Sequence, residues 1–188
     1  MGWNFGGIII DHDFTQDVRK TDVPFEVMRE AGLAALRELG IEASSQEAFI
    51  DLEEATKSMF WDHAVTTFRG KTLVMGKFLG MEQESMVSQF SRCSKRGAVL
   101  AYHFDDGSET YMFSLFRDGR RVRFRSIGHG LSDDEGELLP GEPMEVGEER
   151  DEDGHSTQKK VIEAFLGQNL FTLFDDLKLV HFVPKSTP

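Results

Sequence analysis

The residues of this chain best suited to chemistry stand in the stretch IIIDHDFT, residues 8–15. The apolar run Ile8–Ile10 stops at Asp11; Asp13 follows after one residue and Thr15 after another. Two carboxylates so placed at a strand end can form a catalytic pair, one of them taking a phosphoryl group as an aspartyl-phosphate. The same residues also suit a plainer task. A strand that runs out into a polar turn uses Asp side chains to cap the backbone before the next helix.

The stretch resembles the first motif of haloacid dehalogenase-type phosphatases, an apolar strand ending in Asp-x-Asp-x-Thr. That resemblance implies Asp11 as nucleophile, Asp13 as general acid/base, Thr15 in the supporting position and magnesium between carboxylate and phosphate. It covers about nine residues of the chain. The late Asp-Asp metal motif has one imitation, Asp105 and Asp106 in AVLAYHFDDG. This pair sits in a turn leading straight into an antiparallel strand, whereas the family needs a parallel sheet with crossover helices. No strand-ending Ser or Thr and no lysine between the two motifs completes the set. The sequence therefore favours Asp11 and Asp13 as turn residues, with a metal-dependent hydrolase as the alternative.

Other short motifs are incomplete. RGKT, residues 69–72, has Val65 where a phosphate-binding loop needs its first glycine, and a strand-like LVMG follows it. A hairpin turn at Gly70 is the better reading. DEDGH, with Gly154 aligned on the invariant glycine of a calcium loop, puts Lys160 where the bidentate Glu belongs. The six histidines, at 12, 63, 103, 129, 155 and 181, share no metal-site spacing. Neither a metal nor a cofactor is assigned. Cys93 has Arg92, Lys95 and Arg96 beside it, cations that lower a thiol pKa, but it lacks a partner motif and reads as packing.

Charge carries more information. The net charge is −12, and residues 129–155 hold eleven acidic residues against one basic, so the remainder of the chain is near neutral. A localised block of this kind points to a contact or a loop rather than to general solubility. Just before it, Arg121, Arg123 and Arg125 alternate along a strand-like run, which predicts three guanidinium groups on one sheet face with the acidic segment folded back over them. Exposed pairs of that kind each contribute little, though a network of them can hold the segment in place. Strong overall acidity argues against nucleic acid as a partner. The sequence-based reading is a non-enzymatic protein-binding module, of inhibitor or immunity type, acting on a basic protein. Its contact residues are Asp133, Asp134, Glu135, Glu137 and Glu145, with Leu138, Leu139 and Met144 as apolar anchors and a small hairpin turning at Pro140-Gly141.

The elements that must position these residues follow from periodicity. Residues 3–10 predict a buried strand, and a helix opens at Asp22–Pro24 and closes at Gly40. Ser44 and Glu47, spaced as a capping box, predict a second helix carrying Ala48, Leu52, Ala55 and Met59. Residues 64–69 and 71–76 predict two strands, and 81–93 a third helix stopped by Gly97. VLAYHF, ETYMFSLF and RRVRFRSI, joined by Asp-Gly turns, predict a three-stranded meander over about 98–127 with turns at Gly107 and Gly119. A capped helix at STQKKVIEAFLG, a short helix after Asn169 and a final strand KLVHFV complete the chain. The expected class is α+β: one domain over 1–188, a largely antiparallel sheet with a central meander packed against several helices, and an acidic loop or hairpin insertion at about 129–155. With one cysteine, no early Lys or Arg and no long apolar run, the reading is cytoplasmic and not membrane-bound.

Overall fold

The triple isoleucine is explained by what lies on either side of it. In the computed structural model, β1 (Asn4–Ile10) is hydrogen-bonded between two other strands. Both faces of the sheet there are covered, so a continuous apolar run is required rather than an alternating one. Phe5 and Ile9 point into one core and Ile8 and Ile10 into another. The structure describes residues 4–15, 23–58, 62–76, 83–128, 131–142, 154–173 and 177–185.

The elements in chain order are β1, α1 (Phe25–Glu38), β2 (Ala43–Ile50), α2 (Leu52–Ser58), β3 (His63–Phe68), β4 (Lys71–Gly76), α3 (Glu84–Cys93), β5 (Val99–Asp105), β6 (Thr110–Arg117), β7 (Arg120–Gly128), β8 (Leu131–Gly136), α4 (Gly154–Leu166), a 3-10 turn (Leu170–Leu173) and β9 (Leu179–Pro184). The strands form one sheet in the order β2-β9-β3-β4-β1-β5-β6-β7-β8, antiparallel at every pairing. Helices α1 and α3 cover one face through Met28, Ala35, Leu36 and Phe90. Helices α2 and α4 cover the other through Leu52, Ala55, Val161 and Ile162. Among the described residues no helix is long and apolar enough to cross a membrane.

Local chemistry sets the boundaries. Helix α1 ends in a Schellman arrangement, with Gly40 N–H bonded to Arg37 O at 2.9 Å and Ile41 N–H to Leu36 O at 2.8 Å. Two-residue turns at Arg69-Gly70 and Asp118-Gly119 both have positive φ at both positions, the geometry that matches strand twist. The meander stands as expected, β5-β6-β7, with its first turn held by Asp105 Oδ1 accepting from Gly107 and Ser108 N–H. It occupies one half of the sheet rather than the centre, and β8 adds a fourth strand to it.

Three expectations are corrected. The helix from Ser44 is a strand: residues 43–50 pair with β9, with a register shift between Ser45 and Phe49. The helix starts eight residues later at Leu52, where Asp51 Oδ1 accepts the Glu54 N–H at 2.6 Å. Asp51, not Ser44, is the cap. Helix α3 ends at Cys93 as expected, but Gly97 is not its stop: it lies against the Asp11 carbonyl, where a β-carbon would clash with the oxygen. The arginine stripe is broken as well. The β6–β7 register shifts between Leu115 and Phe116, so Leu115 faces Arg123 but Phe116 faces Arg121, and Val122 is the extra residue. Arg121 is thereby turned to the face opposite Arg123 and Arg125.

Candidate binding surface

Among the described residues, strand β8 stands at one end of the sheet, and it carries the start of the acidic block. Arg125 stands opposite Asp134, Phe124 opposite Glu135 and Arg123 opposite Gly136. On one face, Arg121 Nη2 reaches Glu135 at 2.8 Å while its guanidinium lies over the Phe124 ring, 4.7 Å from the centroid. On the other face, Arg123 is fully buried. Its Nε and Nη2 bind the two oxygens of Glu142 at 2.8 and 2.5 Å, and its Nη1 binds Asp134 and the Glu135 carbonyl. Glu142 is as deeply buried as its partner, accepts the Leu139 N–H at 2.8 Å and has Arg125 Nη1 3.6 Å away.

The expectation of weak, exposed pairs therefore fails for Arg123. A bidentate pair with both side chains out of water is a different object from a surface ion pair. Bonding to Glu142 holds the Arg123 guanidinium firmly charged, and the Arg123 hydrogen bond holds the Asp134 carboxyl below the usual carboxylate range.

The predicted contact residues divide accordingly. Asp134 and Glu135 are engaged by arginines, whereas Asp133 and Glu137 are exposed and have no such tie among the described residues. Leu138 is 46% exposed, the more exposed of two such large hydrophobic side chains among the described residues. Leu139 is partly buried and packs against the core. The chain turns at Pro140-Gly141 as expected. Met144 and Glu145, and the second arm of that hairpin, lie outside the described residues. Glu142 was legible in the sequence as one acid among eleven; nothing local marked it as the buried one.

Asp11 and Asp13 stand together at the end of β1 and are both engaged. Asp11 Oδ1 accepts from Lys71 Nζ at 2.6 Å, and Lys71 in turn sits 4.9 Å from the Phe165 ring centroid. Asp13 Oδ1 accepts from the Thr15 N–H at 2.8 Å and from its hydroxyl at 2.5 Å. Thr72 Oγ1 donates to the His12 carbonyl at 2.8 Å, tying the turn to β4. Asp105 caps its hairpin and Asp106 accepts from the Tyr111 hydroxyl, so the second acidic pair serves a turn. The all-antiparallel pairing is not the parallel sheet that the phosphatase resemblance implies.

Two further groups have settled surroundings. Burial, reinforced by Glu38, pushes the Cys93 thiol up to about 11 despite Arg92 and Arg96, and Sγ donates to the Glu38 carbonyl at 3.1 Å. The neighbouring cations do not activate it. His181 Nε2 lies 2.7 Å from Asp62 Oδ2, a pair that no sequence spacing announced because 119 residues separate the partners. Among the described residues no group of three His, Cys, Asp or Glu side chains is placed to hold a metal ion. No protein-family model, curated protein or solved structure matches the chain.

Proposed function

We propose that this protein is a cytoplasmic binding module, of inhibitor or immunity type, that receives a basic protein partner at the acidic edge strand β8 and the turn after it. One observation carries the reading: the acidic run is exposed at a sheet edge yet held in a fixed shape from below by buried Arg123. An edge strand bearing consecutive carboxylates repels another copy of itself and favours a cationic surface or segment. Asp133 and Glu137 supply the free charge and Leu138 the apolar contact beside it. The charge speeds encounter and rejects acidic competitors, while tight binding comes from contact at Leu138 and its surroundings.

The test is capture of partners by the parent protein and by an Asp133→Asn/Glu137→Gln variant, with the captured proteins identified by mass spectrometry. The expected result is a basic protein retained by the parent and lost from the variant. Its association with the parent should slow between low and physiological salt, because exposed charges are screened over roughly 8–10 Å. Equal capture by both proteins, or a salt-independent rate, overturns the reading.

The alternative, a metal-dependent hydrolase on Asp11 and Asp13, gains one observation, the lysine found on Asp11. Magnesium-dependent hydrolysis of a phosphomonoester that is lost in Asp11→Asn would favour it.

A further inference from the structure

The segment that presents the acidic face is attached to the body in an unusual way. Among the described side chains of residues 131–142, Leu139 is the one hydrophobic residue packed on the core, while Leu138 is exposed. Among those side chains, apolar burial, the usual adhesive of a strand to its sheet, is confined to Leu139. Three other attachments take its place. The first is the ladder with β7, from Arg123↔Gly136 to Gly128↔Leu131. The second is close main-chain packing of the turn on α4, where a β-carbon at Gly141 would stand 2.7 Å from the Lys160 carbonyl carbon. The third is the buried Arg123–Glu142 pair, which joins the two.

Glu142 is the node of this arrangement. Its two oxygens hold Arg123 Nε and Nη2, the Leu139 N–H and, at longer range, Arg125. Without its charge, Arg123 becomes a buried cation sharing one partly exposed carboxylate, Asp134, and two carbonyl oxygens. A cation left in that state does better by reaching water, and the shortest route to water is to lift the segment that covers it. Arg121–Glu135 is exposed and cannot substitute.

We propose that residues 131–142 form a strap latched by Arg123 and Glu142, which leaves the sheet as one unit when that pair is broken while the rest of the sheet stays folded. Regions of few apolar contacts open at lower free energy than the core that carries them. The closed strap gives the acidic face its shape, so loss of the latch removes the face; that consequence rests on the binding reading above, whereas the opening does not.

Hydrogen exchange on the full-length protein at neutral pH tests the latch, comparing the parent with Glu142→Gln, Arg123→Met and Glu135→Gln. In Glu142→Gln, amides of β8 and of the β7 residues it pairs with should lose protection by at least about tenfold, while β1 and β5 keep parental values. Arg123→Met removes the stranded cation and should lose less than Glu142→Gln. Glu135→Gln, which breaks an exposed pair, should resemble the parent. Unchanged protection of β8 in Glu142→Gln overturns the proposal, and so does an equal loss across β1, β5 and β8, or failure of Glu142→Gln to fold. A strap released in Glu142→Gln with partner capture intact would support the latch and refute the acidic binding face. Full protection with capture lost in Asp133→Asn/Glu137→Gln would do the reverse.

Discussion

At the scale of single residues, the molecule hides polar groups in two contrasting ways. Arg123 is satisfied through each of its guanidinium nitrogens, which is the condition for burying a cation without heavy loss. Tyr102 is the opposite case. Its ring packs edge-on to Phe5 and Phe104, and its hydroxyl is buried with no hydrogen-bond partner among the described residues. Burial alone pushes the phenol far above its ordinary pKa. An unsatisfied buried hydroxyl forfeits its hydration without compensation, so its removal should cost nothing. Tyr102→Phe is expected to leave stability unchanged or to raise it by about 1 kcal/mol, read from chemical denaturation. A loss larger than that would mean that the hydroxyl has a partner in solution.

At the scale of elements, the second helix shows what sequence patterns can and cannot resolve. Ser44 and Glu47 have capping-box spacing, and Ala48, Leu52 and Ala55 continue it, so the residues from 44 onward satisfy the helical period. What defeats that pattern is non-local: β9, more than a hundred residues away, offers residues 43–50 an edge to pair with. The side-chain cap sits at Asp51. Asp51→Ala should therefore cost about 1 kcal/mol and Ser44→Ala almost nothing, measured by thermal unfolding; the reverse ranking would restore the longer helix. The meander was legible because its information is local, two Asp-Gly turns between β-rich runs. The arginine stripe was only half legible, since the one-residue bulge at Val122 leaves no sequence mark and yet turns Arg121 to the other face. The acidic block was visible as charge, but the division between engaged Asp134 and Glu142 and free Asp133 and Glu137 exists only once β8 has paired.

At the scale of the whole molecule, acid should weaken the fold in two separate windows. His63, at the start of β3, has its pKa lowered from 6.5 to about 4 by burial, which outweighs the opposing pull of the Asp62 carboxylate. Between those values the unfolded chain takes up a proton that the folded chain refuses, so stability falls as pH drops from about 6.5 toward 4. The limiting loss is roughly 3 kcal/mol. Asp134 acts lower. Its folded pKa lies below the ordinary value of 3.8, so its contribution is present above that value and disappears as pH falls through the depressed one. Denaturant titrations of the parent and of His63→Gln from pH 7 to pH 3 separate the two. The parent should lose stability more steeply than His63→Gln between pH 6.5 and pH 4, and the two curves should run parallel below that. If they run parallel from pH 7 downward, His63 is as free to protonate in the folded protein as in water, and the burial that lowers its pKa is not maintained in solution.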